Sequence, residues 1–181
     1  MSWQIDPAHS HISFSVRHMM ISKVRGFFDS FSGTIDFDEE NPLNTVVDVT
    51  IDAASINTRD EKRDGHLKSP DFLDAAEHPN LTFAGKRVEQ DDDNNGRLIG
   101  DLTILDVTHE VVLDVHYTGI AKSPYGTESA GFQGSTSISR KAWGLEWNVA
   151  LETGGWLVGD KINIDIELEL VKAPAPEAVA A

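Results

Sequence analysis

The sequence predicts an all-β fold: an eight-stranded antiparallel barrel with a short helical insertion over about residues 57–75. Three observations carry this. Apolar and polar residues alternate with period two through most of the chain, the mark of strands with one apolar face. Turn signals such as Asn95-Gly96 and Ser123-Pro124-Tyr125-Gly126 cut the alternation into hairpin-sized pieces. One long interruption, Ser55 to Pro79, carries helix-start chemistry instead.

The first strand is expected at 3–17, where Ile12, Phe14 and Val16 alternate with His11, Ser13, Ser15 and Arg17. Ser10 and His18 fall on the apolar side at its two ends. Such a strand suits the wall of a pocket for an amphiphile, or a plain sheet core with a polar rim. The second, 24–38, sets Phe31, Gly33, Ile35 and Phe37 against Ser32, Thr34, Asp36 and Asp38, and only one of Phe27 and Phe28 can face inward. Val47, Val49 and Ile51 mark the third, at 43–54.

In the insertion, Asn57 or Thr58 reads as a helix cap with acids in the first turn, and Pro70 as the first residue of a second short helix. A structured insertion between barrel strands is a lid over one end or a packing plug.

The fourth strand, 80–90, holds Leu81 and Phe83, and ends at the turn Asp91–Gly96. Leu98, Gly100, Leu102 and Ile104 share a face in the fifth, 96–105. The sixth, 110–121, places Val111, Leu113, Val115 and Tyr117 together, and the seventh, 128–140, places Phe132, Thr136, Ile138 and Arg140 together. The eighth, 159–171, is the cleanest, with Ile162, Ile164, Ile166, Leu168 and Leu170 opposed by Lys161, Asn163, Asp165, Glu167 and Glu169. The barrel domain is placed at 1–172, and the Ala/Pro tail at 173–181 is expected to be disordered. Eight strands can fill their interior with side chains or hold one small ligand.

Composition narrows the function classes. A formal net charge of −15 repels phosphate backbones, so nucleic acid is not an expected partner, and anionic membrane surfaces are disfavoured. With no cysteine, disulfides, thiolate metal sites and cysteine nucleophiles drop out. The start, Met1 to Asp6, lacks a basic patch followed by an apolar run, and no segment approaches the ~18 apolar residues of a membrane helix, so a cytoplasmic protein without an integral membrane segment is expected. Its seven histidines include no His-Glu-x-x-His pattern, and neither a metal site nor a cofactor is expected.

No Gly-x-Ser-x-Gly elbow occurs; Asp64 and His66, two apart, are the nearest to an acid–base pair. Arg63 and Arg140 read either as structural ion-pair partners or as guanidinium contacts to a polar head group. Trp143, Trp147 and Trp156 read as a packed end-cap or as a stacking surface.

An ordered set of residues resembles the YceI-like family. It runs Trp3-x-Ile5-Asp6-x-x-His9-Ser10-x-Ile12-x-Phe14-x-Val16-Arg17-His18, Gly26-x-Phe28, Thr58 and Arg63-Asp64-x-His66-Leu67-Lys68. It continues through Phe72, His78-Pro79-x-x-Thr82-Phe83, Gly100-x-Leu102-Thr103, Arg140-x-x-x-Gly144 and Val158-Gly159-Asp160. The resemblance implies a lipocalin-like barrel that sequesters or carries a long amphiphilic lipid, a polyisoprenoid or its pyrophosphate, without catalysis.

Strand parity then puts Ile12, Phe14, Val16, Phe83, Leu102, Ile104, Leu113, Phe132, Ile138 and Ile164 in the wall, with His18, Arg63, His66 and Arg140 at a polar mouth. The rival readings are an enzyme acting on a hydrophobic substrate through Asp64 and His66, and a solid barrel serving as an interaction module. A barrel with an aromatic cap can also pair as a homodimer, though no interface is legible.

Overall fold

The computed structural model of this chain describes residues 2–173. Its strands are β1 (Trp3–Ile5), β2 (His11–His18), β3 (Ser22–Phe28), β4 (Phe31–Asp36), β5 (Val46–Asp52), β6 (Ile56–Asn57), β7 (Asn80–Gln90), β8 (Asn95–Ile104), β9 (Val107–Lys122), β10 (Glu128–Ser139) and β11 (Val158–Lys172), with one helix, α1 (Glu61–Lys68). β1–β2, β3–β4 and β5–β6 are each one strand bent in the middle, which leaves an eight-stranded antiparallel meander. Closure comes from β11, which pairs with β2 from Val158 to Glu167 and with β1 from Leu170 to Lys172. A closed sheet has no free edge, and each strand turns one face inward.

Local chemistry makes the bends. Between β1 and β2 the Asp6 carboxylate accepts the Ala8 N–H at 2.9 Å, holding a turn in which the Asp6 N–H donates to Glu169 O. Between β5 and β6 the Asp52 carboxylate accepts the Ala54 N–H and caps a single 3₁₀ turn, Ala53–Ser55.

All eight predicted strands are present, but three local expectations need correction. The cap of α1 is Asp60, whose side chain accepts the Arg63 N–H at 3.0 Å; Asn57 lies in β6, and Thr58 bonds Asp64 instead. The stretch from Pro70 forms turns without a second helix, because Leu73 N–H and Ala75 N–H bond back to Leu67 O and Lys68 O at the end of α1. In the β7–β8 hairpin the turn is built by Asp92, whose carboxylate accepts the N–H groups of Asn94 and Asn95. Gly96 is already in the ladder opposite Gln90, so Asn95-Gly96 marks the hairpin without forming its turn. Of the predicted tail, Ala173 is described and 174–181 lie outside the described residues.

Two segments far apart in sequence meet across one end of the barrel: the insertion, and residues 140–157 between β10 and β11. Phe72 and Leu73 of the first and Trp143 and Leu145 of the second are buried in the core. The Trp147 ring contacts both Phe72 and His66 edge-on or tilted, with centroids 5.4 and 4.6 Å away. Trp143 Nε1–H donates to Leu102 O at 3.0 Å, tying this cap to β8. The insertion is therefore a packed plug at the end where β2 turns into β3 and β10 ends. The opposite end, ringed by the β4–β5 and β7–β8 connections, has no such cover among the described residues.

Candidate functional site

Inside the barrel is a cavity of about 640 Å³. Its wall is apolar almost throughout, because the inward-facing positions of all eight strands carry aliphatic or aromatic side chains. Leu145, Ile138, Ile56 and Ile104 lie toward the plugged end. The width of the cavity depends on glycines opposite large rings. Gly26 pairs with Phe14 and Gly100 lies beside Phe83; a Cβ at either position would overlap the facing ring. Each ring therefore occupies the space that a side chain at the glycine would take, and a Cβ there would push it away. Gly26→Ala is expected to swing Phe14 inward, lower stability by about 1–3 kcal/mol through overpacking, and narrow the lumen. Urea denaturation together with uptake of a fluorescent long-chain probe checks this.

Apart from the Thr136 hydroxyl on β10, polarity is concentrated at the open end. Glu39, Glu40, Glu89, Asp92, Asp93 and Glu167 line the mouth, against a single basic residue, Arg97. Its Nη2 lies 3.1 Å from both Glu89 and Asp91, while its buried Nε has no hydrogen-bond partner. Asp92 is held below the ordinary carboxylate range by the Asn95 side-chain amide and then by the Asn94 and Asn95 N–H groups, so it stays charged. Tyr117 stands just inside, in an aromatic cluster with Phe37 and Phe132 at 5.6 and 5.2 Å. Burial, helped by the Glu39 charge, pushes its phenol upward, which keeps the proton on the oxygen. Lys172 sits beside the mouth between Glu128 and Glu39, and these bonds raise its pKa.

Nine of the ten wall residues expected from parity line the cavity: Ile12, Phe14, Phe83, Leu102, Ile104, Leu113, Phe132, Ile138 and Ile164. Val16 does not; it is flanked in the sheet by Val24 and Ile162, toward the plugged end. Of the two adjacent phenylalanines, Phe28 faces the lumen. Phe31, Phe37, Tyr117 and Ile166 also line it and share the parity of their strands, so the same signal finds them.

None of the four residues expected at a polar mouth lines the cavity. His18 ends β2 beside the plug, paired in the sheet with Val158 and Ser22. Arg63 folds onto its own loop, Nε–H donating to Thr58 Oγ1 at 2.8 Å and an Nη2–H to Thr58 O at 2.9 Å. His66 pairs with Asp71 at 2.8 Å. Arg140 is 2% exposed and spends its N–H groups on the carbonyls of Gly159, Leu145 and Trp147. The strand ends at Ser139 and a 3₁₀ turn follows, so Arg140 leaves the parity of β10 and points under the cap.

The acid–base pair weighed from sequence is not assembled either. Asp64 Oδ1 accepts the N–H and the hydroxyl of Thr58 at 2.8 and 2.6 Å, while His66 turns to Asp71. Among the described residues one group of possible metal ligands comes together, Asp6, His9 and Glu169, outside the cavity. There Asp6 Oδ2 lies 2.8 Å from His9 Nδ1, a contact that lowers the carboxyl pKa and raises that of the imidazole. No described helix is long and apolar enough to cross a membrane.

Comparison with known proteins places this geometry in context. The sequence matches the YceI-like domain over residues 3–170. A UPF0312 protein of Staphylococcus aureus is 36% identical over 169 residues, covering 93% of this chain and 96% of that protein. The crystal structure of a Campylobacter jejuni YceI protein superposes with a TM-score of 0.75 at 35% identity, over 87% of this chain and 90% of that one. A domain from Saccharophagus degradans described as polyisoprenoid-binding shares the fold, with a TM-score of 0.69 at 16% identity, over 96% of this chain and 99% of that one.

Proposed function

This chain belongs to the YceI-like family, and on that premise we propose that it holds one long isoprenoid-type lipid inside its barrel, head group at the acidic mouth, and sequesters or carries that lipid without transforming it. The observation that carries the reading is the apolar cavity of about 640 Å³ between the mouth and the plug. At the ~30 Å³ that one water occupies in the liquid, close to the size of a methylene, this space takes a chain of roughly twenty carbons, or about four prenyl units. The polyisoprenoid-binding domain of the same fold supports this class of ligand.

Burial alone supplies the affinity. Each CH₂ moved out of water contributes roughly 0.8 kcal/mol, so a prenyl unit contributes at most about 3–4 kcal/mol. Four units would sum to about 12–16 kcal/mol at most, below the ceiling for a non-covalent complex, and ordering a flexible chain offsets part of that. The wall therefore needs no catalytic or metal chemistry to hold its ligand. The mouth sets the head group: six carboxylates, against Arg97 held at Nη2 by Glu89 and Asp91 and Lys172 held by Glu39, disfavour a pyrophosphate and favour an uncharged oxygen head, to which the protonated Tyr117 phenol can donate.

Mass spectrometry of organic extracts from natively purified protein tests the reading, paired with titration by a twenty-carbon prenol and by its pyrophosphate. A stoichiometric long-chain lipid, and tighter binding of the prenol by at least about tenfold, a difference of ~1.4 kcal/mol, is the expected result. A folded protein whose extract is free of lipid and which takes up neither probe overturns it. Tighter binding of the pyrophosphate leaves the chain-binding reading and overturns the assignment of the head group.

A further inference from the structure

From Pro7 to Phe28 the sequence runs 22 residues without an Asp or Glu, in a chain where 30 of 181 residues are acidic. This stretch builds the β2–β3 hairpin. In its register Arg17 stands opposite Lys23 and Ser15 opposite Arg25, so three exposed basic side chains share the outward face. Among the described residues none of the three forms an ion pair, whereas Lys86, Arg87, Arg97, Lys141 and Lys172 all do. The nearby Asp160 is taken by Lys141 at 3.4 Å.

The tip of the hairpin is apolar. Met19 and Met20 occupy the two central turn positions with φ of 52° and 64°, and the Ile21 N–H closes the turn on His18 O at 3.2 Å. Asn-Gly is the cheap occupant of such a turn; two methionines there are strained, and strain retained at a tip points to a use for the side chains. Met20 is 53% exposed and Ile21 81%. Trp156, 54% exposed, belongs to the adjoining loop, where the Met19 N–H donates to Leu157 O and Met20 lies against Gly155. The result is one continuous surface with a Met/Ile/Trp point and a basic flank.

We propose that this surface docks the protein on an anionic lipid bilayer, the tip and Trp156 entering the interface and Arg17, Lys23 and Arg25 meeting phosphates. Charge complementarity selects this occupant. The net charge of −15 disfavours anionic membranes only as an average over the surface. Charges more than about 8 Å apart are largely screened at physiological salt, so the acid-free hairpin acts by its own sign, with Asp160 taken by Lys141 and Glu152 in the adjoining loop as the nearby opposing charge. Basic residues beside exposed apolar and Trp side chains are the composition of an interfacial anchor. The patch lies at the plugged end, away from the mouth, so the inference does not depend on what fills the cavity.

Flotation of the whole protein with vesicles of phosphatidylglycerol and phosphatidylcholine in equal parts, against phosphatidylcholine alone, is the test. Partitioning to the anionic vesicles, weakened by salt, is expected, with a blue shift in Trp emission that Trp156→Phe removes; Trp3 and Trp143 are already buried, and Trp147 is packed against His66 and Phe72. Reversing Arg17, Lys23 and Arg25 to Glu should lower partitioning by well over tenfold, since each base near an anionic surface contributes about fivefold. Met20→Ser with Ile21→Ser, at exposed positions that leave the fold intact, should lower it independently. The proposal fails if wild-type protein does not float with anionic vesicles, if it floats equally with both kinds, or if the charge-reversed protein floats as well as wild type. It also fails if these substitutions abolish a homodimer instead, which would make a second copy the occupant.

Discussion

Arg140→Met is expected to destabilise the protein by about 3–5 kcal/mol, a large part of the ~5–15 kcal/mol available to a domain. The side chain is 2% exposed, and its guanidinium is the common donor to three carbonyls: Gly159 O at 2.9 Å, Leu145 O at 2.5 Å and Trp147 O at 3.0 Å. These belong to the cap segment and to the start of β11, which the arginine binds into one unit. Burial pulls the Arg140 pKa down and the Asp160 charge partly restores it, so the protein is already bearing the cost of a desolvated cation. Removing the donor leaves the buried acceptors unpaired, at about 1–3 kcal/mol each. Arg140→Lys should recover only part of the loss, because an ammonium cannot fan out to three carbonyls. Urea denaturation checks both; an unchanged midpoint in Arg140→Met would remove the structural role assigned to this residue.

Leu102→Trp and Phe14→Trp are expected to abolish or reduce long-chain uptake by more than about tenfold while the protein still folds. Both side chains face the lumen. The backbone at Leu102 is fixed by the bond from Trp143 Nε1 to its carbonyl, so a larger side chain there has only the cavity to enter. Phe14 already lies over Gly26, and an indole at that position must extend past it. Because the added volume enters empty space, the overpacking cost should fall below the ~1–3 kcal/mol typical of a filled core. Circular dichroism melting separates folding from binding. Unchanged uptake in a folded double variant would mean that the lipid lies elsewhere.

Most of the wall was legible because a strand writes its burial into alternate residues. Phe132 and Ile138, or Leu102 and Ile104, need only their own strand to reveal which way they face. The mouth was not legible, and the reason is specific. Arg140 continues the apolar parity of β10 on paper, but the strand stops one residue earlier and a 3₁₀ turn redirects the side chain. Asp64 and His66 stand two apart in sequence yet take Thr58 and Asp71 as partners, since α1 and the turns after it set their directions independently. Four of the six carboxylates at the opening, Glu39, Glu40, Asp92 and Asp93, lie in connections where no period exists to read.

The sequence by itself determined the eight strands, their meander order and the identity of nearly every inward face, because period-two patterning and turn chemistry are local properties. Only the tertiary structure decided which end of the barrel is plugged, since that depends on Trp147 meeting Phe72 and His66 across some 75 residues of chain. Charge followed the same division. Its total was readable at once, but its sorting into an acidic mouth and an acid-free hairpin exists only once closure has carried β2 and β3 to one side and the β4–β5 and β7–β8 connections to the other.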